Sequence, residues 1–277
     1  MMAQTTTEAR FINGTKGRLF AMHRRPLNRL ELGECFVLAP PFAEEMNRCR
    51  YMCTMISQQL AEQGHGFLSV DPYGTGDSEG NFVDADWDGW TRDIVAACEY
   101  AMELGYTRIS LLGIRLGALL ALNAAADMAS LHRIVLWQPV ISGKTSLTQF
   151  MRIRIAASLE RDEDGGSVGD FEKSINEGKP VQVAGYDVSP ALYTGIKTAH
   201  FDSHLEFHKS PIAWFNTLAS EDRKTPRIET DFLKKWREQG ADIHHETVIG
   251  PSYWAVHERT LAPALVKATA RHIAGDN

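Results

Sequence analysis

The chain has 277 residues, 44% of them hydrophobic and 23% charged, with a formal net charge of −6. These proportions suit one large globular domain with a sizeable core, and the acidic balance gives no support to nucleic-acid binding, which usually shows a basic stripe. The cysteines (Cys35, Cys49, Cys53 and Cys98) form no C-x-x-C pair, which speaks against a zinc or thioredoxin-type site and against a disulfide framework.

Residues Met1 to Arg10 are polar and carry no signal-peptide core. The segments Phe11–Asn13 and Arg18–His23, around Gly14-Thr15-Lys16-Gly17, predict an opening hairpin. Cys35–Ala39 is an apolar run that stops at Pro40-Pro41 and reads as a buried strand. From Glu45 to Gln63, Met46, Cys49, Cys53, Ile56 and Leu60 recur at threes and fours, and Gly64 ends the helix. At that spacing Cys49 and Cys53 are expected to be core-facing residues of one helix face. Phe67–Val70 is a second buried strand. Asp86 is placed to cap a helix running to Leu104, with Trp90, Ile94, Ala97 and Ala101 on one face.

The most apolar stretch, Ile109–Ala126, contains Arg115, Asn123, Gly113 and Gly117. It therefore reads as a strand entering a helix and not as a membrane span, and a cytoplasmic location is the expectation. Arg133–Trp137 is the next strand. The alternation of strands and helices implies a parallel sheet covered on both faces. The rhythm breaks over residues 142–209, which show no clear buried strand and are expected to form an inserted lid. It resumes with a strand at Ile212–Leu218, a helix at Glu229–Gln239, a strand at Asp242–Val248 and a closing helix at Leu261–Ile273.

The sharpest local feature is Gly113-Ile114-Arg115-Leu116-Gly117 between a strand and a helix. A G-x-S-x-G nucleophile elbow occupies the same context, its glycines allowing a tight turn that projects the central side chain above the sheet. Pro40–Glu45 stands where the oxyanion loop of that fold stands, and Asp71–Gly80 matches the pattern of a further loop beside the site. The expectation is an α/β-hydrolase fold: a mostly parallel central sheet with helices on both faces, a core of residues 1–141 and 210–277, and a lid at 142–209.

Pro40–Asn47, Asp71–Gly80, Gly113–Ala121, Leu136–Gly143, Thr148–Arg152, Val183–Leu192 and Gly250–Trp254 together span nearly the whole chain. In these segments the chain resembles the exosortase A system-associated hydrolase 2 group of the α/β-hydrolase superfamily. The resemblance implies that arginine at the elbow is a property of the group. It also implies an association with envelope export and polysaccharide machinery, and a Gly-Pro-Pro-Phe-Trp-like segment followed by a glutamate that Glu258 would match.

A guanidinium holds no acceptor and stays charged, so Arg115 cannot replace a serine nucleophile. It stands at a helix N-terminus beside the expected oxyanion donors, the N–H groups of Leu116 and of Phe42 or Ala43, and these would concentrate positive potential. Two readings stay open: an internal ion pair with Glu44, Glu45 or Glu258, or an anionic ligand. An arginine at positive φ would also be strained. The triad's acid is expected after the seventh strand, where Asp222 is the candidate beside the alternative of a solvated loop charge. The histidine is expected after the eighth, where Ser252, Tyr253 and Trp254 stand and His257 follows late. His200, His204 and His208 recur at fours, which suits either a metal face or, better, a plain polar face. Trp137, Phe150, Tyr186, Tyr193 and Phe201 suit an apolar pocket or lid packing equally well.

Three functions remain in view. The first is a cofactor-free ester or thioester hydrolase in which His257 or Glu258 activates water. The second is an inactive fold that holds an anionic or carrier-bound acyl ligand at Arg115. The third is a cofactor-independent lyase or oxygenase that depends on His257. No metal or cofactor is called for, the partner is a small-molecule or carrier-bound ligand, and a homodimer is left open.

Overall fold

A computed structural model describes residues 6–27, 33–159, 166–204, 210–255 and 258–275. Its strands are β1 (Thr7–Asn13), β2 (Arg18–Arg24), β3 (Glu34–Ala39), β4 (Gly66–Val70), β5 (Arg108–Ile114), β6 (Ile134–Trp137), β7 (Val181–Val183), β8 (Tyr186–Val188), β9 (Ile212–Leu218) and β10 (Ile243–Ile249). The helices are α1 (Glu44–Glu62), α2 (Trp87–Glu103), α3 (Gly117–Ala126), α4 (Gly143–Leu159), α5 (Val168–Asn176), α6 (Pro190–Thr198), α7 (Arg227–Glu238) and α8 (Pro263–Ala274).

The main sheet has eight strands in the order β1-β2-β4-β3-β5-β6-β9-β10. β1 and β2 are antiparallel to their neighbours, and every pairing from β4 to β10 is parallel. The central strands are continuously apolar because both of their faces are covered. In β3, Cys35, Val37 and Ala39 enter the core on the α2–α3 side, whereas Phe36 and Leu38 enter the core under α1 and α8. β6 and β9 divide in the same way: Leu136 and Trp214 face one core, Trp137 and Phe215 the other.

The helix starts follow local chemistry. Asp86 caps α2, its Oδ1 accepting from Gly89 N at 2.6 Å, as the sequence predicts. Ser167 and Asp170 form a reciprocal capping box on α5. Ser189 caps α6, with Pro190 in its first turn. The segment between β6 and β9 differs from expectation in containing strands: α4, α5 and α6 surround a β7–β8 hairpin. Its turn at Ala184 and Gly185 has φ of 49° and 88°, the geometry of a tight hairpin. The strands are three residues each, too short to show a period in the sequence. Among the described residues no helix is long and apolar enough to cross a membrane.

Buried ionisable groups give the sheet its own pH response. His23 on β2 is 3% exposed and shares a 2.8 Å hydrogen bond with the Tyr106 hydroxyl. Burial first, then the nearby Arg25, lowers its pKa from 6.5 to about 4. The folded state therefore prefers the neutral ring, while the unfolded chain takes up a proton below 6.5. This contribution to stability is complete above 6.5 and is lost as pH falls toward 4. The difference in unfolding free energy between the native protein and His23→Gln should shift against the native protein across that window, as urea titrations at several pH values would show. A pH-independent difference would refute the assignment.

Candidate functional site

The site is built where β3, β5 and β6 end. β5 runs into α3 through Arg115, whose φ is 56°, followed by Leu116 at the helix N-cap. This is a left-handed turn between strand and helix. Two close approaches enforce it: a Cβ on Gly113 would collide with the Ala118 backbone, and one on Gly117 with the carbonyl oxygens of Ala39 and Pro40. Arg115 N donates to Trp137 O at 3.0 Å, and Arg115 O accepts from Ala118 N and Val140 N. Gln138, at the end of β6, also has positive φ, 44°. Gln138 N donates to Phe215 O, and its side-chain Oε1 accepts from Thr217 N, both at 2.8 Å. A second left-handed turn thus stands beside the first.

The Arg115 side chain is held on several sides. Its Nε donates to Glu45 Oε1 at 3.3 Å and its Nη1 to Gln138 O at 3.2 Å. The guanidinium carbon lies 4.8 Å from the centre of the Trp254 ring, a cation–π distance. Of the three candidate partners, Glu45 closes on Arg115. Glu44 instead accepts from the Tyr186 hydroxyl and from Asn47 Nδ2, each at 3.2 Å. Glu258 is exposed, its carbonyl accepting from Thr260 Oγ1. Burial pushes the Glu45 carboxyl above its ordinary value, and the charge and hydrogen bond of Arg115 oppose that shift without cancelling it.

The three expected oxyanion donors lie at the ends of β3 and β5. Ala43 has φ 51° and ψ −126° where β3 turns into α1. Phe42, Ala43 and Leu116 N–H have no hydrogen-bond acceptor among the described residues. These residues border a cavity of about 270 Å³ whose other walls include Phe82, Trp87, Trp90, Leu120 and Tyr186. The loop 71–80 closes one side of it. That loop is anchored by Tyr73 N to Asp93 Oδ2 (2.8 Å), Trp90 Nε1 to Tyr73 O (2.9 Å) and Phe20 N to Ser78 Oγ (2.8 Å). Arg115 is not a wall of the cavity. The polar side chains that are walls are Asn47, Thr75 and Tyr186, and no serine, cysteine or histidine lines it among the described residues.

The remaining candidates disperse. Asp222 is exposed on the loop after β9, where the Ser220 hydroxyl holds its carboxyl below the ordinary value. Tyr253 is 1% exposed and points into the core beside Trp137, with its hydroxyl unbonded among the described residues. His257 and His208 lie outside the described residues, as does the side chain of His204; His200 pairs with Asp202 at 3.3 Å. No metal-binding group of three is present among the described residues. Of the aromatics weighed for a pocket, Tyr186 lines the cavity, and Phe150 supports Phe42 from 4.9 Å. Trp137 and Phe201 are core, Phe201 stacking on Trp236, and Tyr193 donates to Glu172 at 2.7 Å.

The sequence reading missed two residues near the elbow. Gln138 carries no signal, because glutamine is a poor choice for positive φ. Glu229, in the first turn of α7, accepts from Asn216 Nδ2 at 2.6 Å, and burial raises its pKa against that bond and against the charge of Arg115. Arg115 is therefore the counter-charge of Glu45, and its field reaches Glu229 weakly beside the bond to Asn216.

Removing that charge should expose the cost. Arg115→Met should lose about 2 kcal/mol of stability at neutral pH, since it strands a desolvated carboxylate. Most of the loss should vanish as pH falls below the ordinary carboxylate range, where Glu45 is protonated. Glu45→Gln added to Arg115→Met should restore stability. Chemical denaturation of the single and double variants measures this, and an Arg115→Met protein as stable as the native one would show that the pair holds nothing.

Residues 35–162, just under half of the chain, match the family model described as serine aminopeptidase, S33. Among curated proteins none matches the chain. Among solved structures it is similar to Est1E from Butyrivibrio proteoclasticus, at 16% identity and TM-score 0.65 over 97% of this chain and 98% of that one. The same Est1E with ferulic acid bound aligns at 18% identity and TM-score 0.68, over 97% of this chain and 99% of that one. The hypothetical protein PA2218 from Pseudomonas aeruginosa aligns at 17% identity and TM-score 0.64, over 99% and 93%. At such identities the likeness speaks for the fold. Together with the strand order and the left-handed turn at Arg115, it makes the chain a protein of the α/β-hydrolase fold.

Proposed function

We propose that the protein binds a small acyl or aryl carboxylic ligand in the elbow cavity and does not attack it covalently from the elbow. The observation that carries this reading is the state of Arg115. The elbow turn is kept, but its side chain is a guanidinium tied to Glu45, Gln138 and Trp254. A nucleophile needs a lone pair and a base that can take its proton, and a bound guanidinium offers neither. Beside it stands a cavity with aromatic walls and the unbonded N–H groups of Phe42, Ala43 and Leu116. Such donors accept a carboxylate or carbonyl oxygen, and the walls accept its apolar body.

The ligand class follows from those two ends. Est1E, a structural neighbour, is seen with ferulic acid, an aryl carboxylic acid. Tyr186, brought over the cavity by the β7–β8 hairpin, and Phe42, Phe82 and Trp90 favour a planar or extended apolar body. In this reading the segment 142–209 acts as the cap that the sequence predicts. An arginine at the elbow also suits the resemblance to the exosortase A system-associated hydrolase 2 group.

The second reading, hydrolysis by a non-standard mechanism, is favoured by one observation: the N–H groups of Phe42, Ala43 and Leu116 have no acceptor among the described residues, and these residues border the cavity. Were water to add to the carbonyl of a bound ester, these donors would stabilise the oxyanion that forms on the carbonyl oxygen before the alcohol leaves.

One pair of measurements separates the two. Cinnamate added to the protein should quench tryptophan emission through Trp87 and Trp90, and Tyr186→Ala should weaken its binding about tenfold. p-Nitrophenyl octanoate should give neither a burst nor turnover that changes in Arg115→Met. Turnover that disappears with Arg115 would replace the binding reading with the hydrolytic one.

A further inference from the structure

The main sheet has two edges, and they are defended differently. β1 carries Glu8 and Arg10, joined to each other at 2.8 Å, and Glu8 also pairs with Arg25 at 3.2 Å. Fixed charges of this kind keep an edge strand from pairing with another chain. β10, at the opposite edge, contains no lysine, arginine or proline. Its register with β9 runs unbroken from Ile243 opposite Ile212 to Ile249 opposite Leu218, so no bulge turns this edge aside.

The ladder fixes which groups β10 turns outward. Ile212 N donates to Asp242 O at 2.8 Å, and Gly250 N to Leu218 O at 2.9 Å. The even-numbered residues of β10 therefore bond to β9, and Ile243, His245, Thr247 and Ile249 direct their N–H and C=O groups away from the sheet. Ile243 O accepts from Arg237 Nη2 at 3.3 Å. The outward backbone groups of His245, Thr247 and Ile249 have no partner in the chain among the described residues. Polar side chains of unlike character follow one another on the α8 face of the strand. His244 stacks on His272 of α8 with ring centres 4.2 Å apart, and Glu246 accepts from Arg271 Nη2 at 2.6 Å. On the other face His245 lies against Trp214, with 6.3 Å between ring centres.

We propose that β10 is a self-association surface, to which a second copy of the chain adds its own β10 antiparallel about a two-fold axis at His245. This pairing joins His245 to His245 and Ile243 to Thr247 through about six backbone hydrogen bonds. The contact is the same on both copies, so it closes at a dimer. It sets His244 of each copy opposite Glu246 of the other, at a non-hydrogen-bonded pair, where side chains approach most closely. An imidazole has an N–H to offer a carboxylate in either protonation state. The neighbouring registers lack this match: an axis at Glu246 opposes two carboxylates, and an axis at His244 opposes Glu246 to Asp242 of the other copy. Burial first, then the charges of Arg237 and His244, lowers the pKa of His245, so the two rings at the axis are neutral at pH 7 and do not repel. The surface does not depend on the function read from the elbow.

Sedimentation velocity of the full chain tests this. The native protein should shift from monomer to dimer between about 1 µM and about 500 µM. Thr247→Pro removes an outward N–H and leaves the bonds to β9 in place, so it should weaken the dimer about tenfold or more. His244→Glu sets carboxylate against carboxylate across the axis and should weaken it to a similar degree. Adding Glu246→Lys to His244→Glu restores an opposite-charge pair and should recover the native dimer. Circular dichroism checks that each variant is folded. The proposal is overturned by a native protein that stays monomeric throughout, or by a folded Thr247→Pro or His244→Glu protein that dimerises like the native one. A double variant as weak as His244→Glu alone also overturns it.

Discussion

The structure depends on how closely α3 approaches the ends of β3 and β5. A helix can start there only if its first turn lies against the carbonyls of Ala39 and Pro40, and only glycine at 117 allows this. The chain then has to reverse within the residues between Ile114 and Gly117, which forces Arg115 to φ 56°. A left-handed arginine costs about 1 kcal/mol. The neighbouring backbone holds it through Trp137 O, Ala118 N and Val140 N. Everything at the site inherits this turn: the direction of the Arg115 side chain, the unbonded N–H of Leu116 and the wall made by Leu116 and Leu120.

The charge at that turn then organises its surroundings. A helix N-terminus repels a cation, so Arg115 is tolerable only because negative groups converge on it. Glu45 arrives on α1, the carbonyl of Gln138 just after β6, and the face of Trp254 on the loop after β10. Glu229, on α7, is close enough for the same charge to oppose its raised pKa. A residue that would be the reactive centre of an acyl-transfer enzyme is here the electrostatic junction of four separate segments. Arg48 strengthens the junction by donating to the carbonyls of Trp254 and Ala255, at 3.3 and 3.0 Å.

The fold was legible because it rests on order and spacing. Alternating apolar strands and amphipathic helices, with glycines two residues either side of the elbow, leave few topologies open. The partner of Arg115 was not legible among Glu44, Glu45 and Glu258. Glu44 and Glu45 are neighbours whose directions differ by a helical step, and the positive φ of Ala43 decides which one meets the guanidinium. Tyr253 stands where the fold's histidine is expected. Its ring instead completes the core under Trp137, a choice made by packing and invisible in spacing. The cavity was hardest to foresee. Its walls come from five stretches of chain, one of them the β7–β8 hairpin, whose strands are too short to leave a pattern.

Met46 carries a consequence of its own. Its side chain, with Pro40 and Pro41, forms the wall between the elbow cavity and a second cleft on the other side of the Pro40-Pro41 turn. Methionine is unbranched and adapts its shape readily, so this partition is deformable where the prolines are not. An occupant that bends Met46 away enlarges its own chamber at the expense of the other. A shift of Met46 would be felt by the first turn of α1, whose residues 44 and 45 hold Tyr186 and Arg115.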